Sequence, residues 1–254
     1  MGLAALGVVT GVLASGFASA ESVAMPPAGR EVVLVAEETT SSHRGVEARG
    51  REELTVFSPT AWPASAVGRI DAEVLRLALD ASRCATVSGA ATNPATLTII
   101  DYSKASVEPR LWVLDLATRG LIYEELVSHG QGSGGNLATK FSNIPESHQS
   151  SIGLFVTDEP YVGRNGYSLR LDGLDKGFND RARERAIVVH GAPYVNATIG
   201  RSLGRLGRSH GCPAVRDEVA RELINRVKGG SLVFAYYPDA EWLQGSKFLG
   251  NCGN

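Results

Sequence analysis

The chain has 254 residues, 43% of them hydrophobic and 20% charged, which is enough to bury one good core with a small appendage. A formal net charge of −2 gives no attraction toward nucleic acid or an anionic membrane surface, so neither is expected as a partner.

From the first residues, Leu3 to Phe17 is apolar and small, interrupted only by Thr10 and Ser15, and it runs into Ala18-Ser19-Ala20 before Glu21. This pattern predicts a secretory signal over residues 1–20 with an Ala-x-Ala cleavage site, hence an exported chain. The run falls short of the roughly 20 apolar residues of a membrane span, so no span is expected after cleavage. Residues 21–64 mix Pro26-Pro27, a Thr39-Thr40-Ser41-Ser42 cluster and the charged Arg49-Gly50-Arg51-Glu52-Glu53, and read as a linker or poorly ordered lead-in. The catalytic domain is placed at 65–254.

Val67, Ile70, Val74, Leu77, Ala78 and Ala81 recur at helical spacing behind Ser65, predicting a helix over about 66–83 with Ser65 as its cap. Short β-like runs then follow between turn residues, at 96–101, 110–116, 121–127, 152–157, 167–171 and 186–190. Asp217 to Val227 is amphipathic, with Val219, Leu223, Ile224 and Val227 on one side and Gly229-Gly230 as a stop, and a strand over 231–237 closes the domain. A mainly β, α+β domain results. The loop Gly130-Gln131-Gly132-Ser133-Gly134-Gly135 has a strand before it, but 136–145 carries no helical face, which argues against a dinucleotide site.

Chemistry concentrates at Arg208-Ser209-His210-Gly211-Cys212, with His190-Gly191 ending an upstream apolar run. A thiol is a strong nucleophile only as the thiolate, and acyl transfer through it needs a base, an orienting group for that base and donors for the oxyanion. Cys212 is the candidate nucleophile. His190, on a strand end, is preferred as base over His210, which lies too near Cys212 along the loop to turn face to face with it. A backbone carbonyl can orient His190 as well as a carboxylate can. Gly211 and Cys212 amides are candidate oxyanion donors, Ser209 and His210 loop supports, and Arg208, Arg216 and Gly191 candidate substrate contacts. His190, His210 and Cys212 also number three potential zinc ligands, but no His-x-x-x-His or Cys-x-x-Cys pair accompanies them, and neither metal nor other cofactor is expected. Cys84 and Cys252 remain as a pair that can bridge the C-terminal tail to the first helix in an oxidising compartment, the alternative being two unreactive thiols.

These residues resemble a known signature. His190-Gly191 with Ser209-His210-Gly211-Cys212 is similar to that of the L,D-transpeptidases (the YkuD-like catalytic domain). Ser151-Ile152-Gly153-Leu154-Phe155 resembles the family's Thr-Pro-x-Gly-x-Phe strand, and Val127-Ser128-His129-Gly130 the strand end and turn before it. The likeness covers about 96–238. Pro213-Ala214 stand where the usual members place an apolar residue and then Arg or Asn, which marks a divergent branch. The resemblance implies a β-sandwich-like fold with a few peripheral helices and an exported enzyme of the periplasm or cell wall acting on peptidoglycan stem peptides. It also implies a two-step reaction: Cys212 attacks the bond between the diamino acid and terminal D-alanine, and an amine acceptor resolves the thioester. An L,D-carboxypeptidase passing the acyl group to water on the same machinery is the near alternative, and a catalytically idle wall-binding module a further one. A papain-like peptidase would place its cysteine before its histidine, the reverse of the order here.

Overall fold

The computed structural model describes residues 54–92, 94–250 and 252. The expected signal and residues 21–53 of the expected lead-in lie outside the described residues.

The packed region begins upstream of residue 65. Phe57 and Trp62 are buried in the main core, and a 3-10 turn over Pro59–Ala61 links them. The single helix expected over 66–83 is two. Helix α1 (Ala64–Val67) stops at Gly68, and α2 (Ala72–Val87) restarts behind Asp71, whose carboxylate accepts from the Glu73 and Val74 amides. Ser65 lies inside the first helix, whose N-cap, Pro63, has no side-chain cap bond, while Asp71 caps the second, so the hydrophobic periodicity spans a real break.

Eight strands form one mixed sheet in the order β3-β2-β1-β8-β4-β5-β6-β7. They are β1 (Thr96–Asp101), β2 (Leu111–Asp115), β3 (Gly120–Glu125), β4 (Gly153–Gly163), β5 (Gly166–Gly173), β6 (Val188–Gly191), β7 (Ala214–Val215) and β8 (Leu232–Tyr236). β1 and β2 are buried along their whole length, which explains their near-continuous apolar runs. β4 extends beyond the expected 157 because a bulge between Thr157 and Pro160 absorbs the proline and leaves it paired with Leu169. Helix α3 (Ala197–Leu203), capped by Asn196, helix α5 (Ala240–Gly245) and the two-residue β7 went unread in the sequence. Helix α4 (Asp217–Val227) has the predicted bounds and buries Leu223, Ile224 and Val227. It packs on β6, β5 and β1, while α2 packs on β1 and β8.

The ends of the sheet meet. Beyond β3 the chain runs on to Gly130, where the Ser128 amide donates to Ala214 O at 2.8 Å, Ser209 N to His129 O at 3.0 Å and Gln131 N to Ser209 O at 2.8 Å. Gly130 and Ser209 form a parallel bridge. The expected mainly β architecture with peripheral helices is present, and its seam runs beside the Ser-His-Gly-Cys loop. Cys84 of α2 and Cys252 form a disulfide with a Cα–Cα distance of 5.2 Å, tying the tail to this helix.

Candidate active site

β6 and β7 are parallel neighbours with His190 opposite Ala214 and Gly191 opposite Val215. Cys212 lies two residues before β7, and the Val188 amide acts on its thiol, which sets the sulfur against the strand that carries His190. Cys212 is a free thiol, 8% exposed, and His190 is 4% exposed. Sγ donates to the Ala186 carbonyl at 3.6 Å, so at rest its proton is directed at the backbone just before β6 rather than at the imidazole. His190 Nδ1 lies 2.7 Å from Gly191 O. That carbonyl can only accept, so Nδ1 carries the hydrogen and Nε2 is left with its lone pair. The orienting group is thus a backbone carbonyl.

Burial pushes the Cys212 thiol up, against the pull of the Val188 amide and the Arg185 guanidinium. Burial holds His190 below the ordinary imidazole range, with the Gly191 carbonyl and Asp217 working the other way. Both groups are therefore neutral near pH 7 before substrate arrives.

The loop around the thiol is fixed by small polar groups. Ser209 Oγ donates to Cys212 O at 2.6 Å and accepts from Gly211 N at 3.1 Å. Ser150 Oγ accepts from Gly130 N and donates to Gly211 O, each at 3.0 Å. Gly211 has φ +123, and a Cβ there would come within 2.8 Å of Gln149 O and 2.9 Å of Ile187 Cδ1. Gly130 tolerates no side chain either, since a Cβ would sit 2.3 Å from His148 O. Ser209 Oγ thus ties Gly211 and Cys212 together within the loop. Because the Gly211 N–H is spent on Ser209, that amide does not face an oxyanion in this arrangement.

Other candidate residues are placed differently. His210 is exposed and stacks on His148 with ring centroids 4.3 Å apart, away from the role of base. Arg216 makes a bidentate pair with Glu125 at 2.9 and 2.7 Å, and so is held by the protein's own carboxylate. Arg208 Nη1 donates to Gly134 O at 2.7 Å, bracing the glycine loop. Gly191 packs against α4, where a Cβ would meet Asp217 and Ala220. Among the described residues no group of three or more His, Cys, Asp or Glu side chains is arranged to hold a metal ion.

Sequence reading passed over a buried polar cluster beneath the loop. Arg110, fully buried, donates to Val127 O and Lys104 O and lies 2.8 Å from His129 Nδ1. His129 is also fully buried; desolvation and then the Arg110 charge bring its pKa down to about 4. It also passed over Arg185, close to the thiol. In the run Arg181-Ala182-Arg183-Glu184-Arg185 the first two arginines find carboxylates, in Glu184 and in Asp158 and Asp172, and the third does not.

With this arrangement of thiol, imidazole and glycine loop, the matching family model, described as the L,D-transpeptidase catalytic domain, aligns with residues 67–236. The chain belongs to the L,D-transpeptidase catalytic domain family. No curated protein matches it. Solved structures that the chain is similar to include an L,D-transpeptidase from Mycobacterium smegmatis, 16% identical with a TM-score of 0.35, covering 56% of this chain and 59% of that one, so the chain spans less than two thirds of its length. L,D-transpeptidase 3 from Mycobacterium tuberculosis is 15% identical with a TM-score of 0.36, over 57% and 62% of the two chains. An L,D-transpeptidase from Xylanimonas cellulosilytica is 18% identical with a TM-score of 0.33, over 57% and 62%. The L,D-transpeptidase assignment of this chain rests on the family match over 67–236. Among the described residues no helix is long and apolar enough to cross a membrane.

Proposed function

We propose that this protein is an exported peptidoglycan L,D-transpeptidase working through a Cys212 thioester. The observation that supports it most is the β6–β7 register, with His190 opposite Ala214 and its Nδ1 anchored on Gly191 O. His190 Nε2 takes the Sγ proton as sulfur attacks the carbonyl between the diamino acid and the terminal D-alanine of a tetrapeptide stem. The Cys212 amide donates to the developing oxyanion. The imidazolium returns the proton to the departing D-alanine nitrogen, leaving the thioester. An amine from a second stem attacks it, His190 collects that proton, and the thiol is restored. Arg208 keeps Nε and Nη2 for the substrate carboxylate, whereas Arg216 is committed to Glu125. Residues 1–20 serve as the signal that delivers the chain to the periplasm or cell wall, where its substrate lies.

Purified muropeptides followed by mass analysis test this reading. Loss of D-alanine with a 3-3 crosslinked dimer is expected from the wild type, and neither from Cys212→Ala. Loss without a dimer would identify an L,D-carboxypeptidase instead, and no change with the wild type would overturn both. Replacing His190 by Gln is expected to lower the rate of thioester formation about 10²- to 10⁴-fold, the usual worth of a positioned base.

A further inference from the structure

Among the described residues, Arg185 is a cation that acts on the Cys212 thiol and makes no ion pair with a carboxylate. It precedes β6 by three residues, and its Nη2 would lie 3.5 Å from a Cβ on Gly211, the residue next to Cys212. Nη1 donates to Ser142 O at 2.5 Å and to Ser151 Oγ at 2.6 Å, and Nη2 to Gln149 O at 2.6 Å and Ser147 Oγ at 3.2 Å. All four acceptors are neutral, and they occupy all four Nη hydrogens. Nε is buried without a partner. A guanidinium so arranged has its four Nη hydrogens committed within the protein and its fifth, on Nε, buried, so it presents no accessible donor to a substrate carboxylate yet retains its whole charge beside the loop.

We propose that Arg185 is a positioning residue whose fixed positive charge stabilises the Cys212 thiolate, acting through space and not as a substrate contact. This rests on the assignment of Cys212 as nucleophile. The chemistry asks for such a group: a thiol that is 8% exposed ionises against its surroundings, and the imidazolium that forms as His190 takes the proton is consumed when the leaving amine is protonated. A permanent cation holds the sulfur anionic again when the thioester is resolved. The other charged groups near the loop are placed elsewhere: Arg208 is held on Gly134 O and Arg110 on Val127 O, Lys104 O and His129, whereas Arg185 is the cation that acts on the thiol. Tyr102 and Tyr194 are both pushed up to about 12, mainly by burial, and stay neutral through the working range. His190 is neutral at rest, with Asp217 the carboxylate that acts on it.

The test is the pH dependence of Cys212 alkylation by iodoacetamide, in which sulfur displaces iodide, followed by intact mass. Arg185→Met and Arg185→Gln are expected to move the midpoint upward by about one to two pH units, with the plateau rate at high pH retained, while Arg185→Lys stays within a few tenths of a unit of wild type. A role confined to bracing residues 142–151 predicts a lowered plateau with the midpoint unmoved, in all three variants, and would overturn the proposal. A measurement on the wild type alone covers variants that fail to fold. Anionic iodoacetate should react faster relative to iodoacetamide than it does with free cysteine, by several-fold, and the excess should shrink with added salt. A ratio equal to that of free cysteine rejects a nearby unpaired cation. If wild-type Cys212 alkylates with these signatures but forms no thioester with muropeptides, the proposed function fails and the Arg185 assignment stands.

Discussion

Gly211 is the residue on which the loop turns. Its φ of +123 and the 2.8 Å approach of Gln149 O leave no room for a Cβ, so Gly211→Ala must distort the backbone carrying both the Ser209 bond and the thiol. We expect a loss of about 1–3 kcal/mol in urea unfolding, together with slower alkylation of Cys212. His129 supplies a pH signature of its own. Its folded pKa of about 4 lies below the unfolded value near 6.5, so between these two values the unfolded chain binds the extra proton. Stability is complete above pH 6.5 and is lost as pH falls toward 4, by on the order of 3 kcal/mol, with His190 adding a loss of the same sign. Urea midpoints measured over this window should drop in the wild type and flatten in His129→Gln. At this scale the candidate nucleophile is plain in the chain. Cys212 and His190 stood out because thiol, imidazole and flanking glycines lie on two short stretches. Arg185 did not, because what distinguishes it is the absence of a carboxylate among partners at 142–151, a property of the folded contacts and invisible in a charged run.

Elements were legible where their own residues decided them. Helix α4 has an acidic first turn, an apolar stripe and a glycine stop, and the structure keeps its predicted bounds. β1 likewise matches residue for residue, an apolar run that tolerates burial on both faces. The two-residue β7 has no such internal signal; only the neighbouring β6 and the segment up to Gly130 make it a strand. The broken helix at α1 and α2 shows the opposite error, since hydrophobic spacing persisted through Gly68 while the capping carboxylate decided the restart. Asp71→Ala should therefore cost about 1 kcal/mol and fray the first turn of α2, read by calorimetry and by loss of helical circular dichroism, with thioester formation unaffected.

For the whole molecule, the long closures matter most. The Cys84–Cys252 bridge spans a sequence separation of 168 residues, so in a chain-entropy account it removes about 5 kcal/mol of freedom from the unfolded ensemble, an upper figure for its contribution. Reduction with Cys212 blocked should add the mass of two hydrogens and lower the melting temperature by several degrees or more. An unchanged melting temperature would show that the tail is held by packing alone.

The seam at Ser128, Ser209 and Gln131 joins the sheet's ends through the very loop that carries Cys212. The hydrogen bonds that complete the sheet and the bonds that hold the thiol therefore share one loop, which ties the setting of Cys212 to closure of the sheet. Amide exchange at these three positions should respond in concert when an acyl group loads the sulfur, so that the state of the chemistry is legible in the stiffness of the scaffold around it.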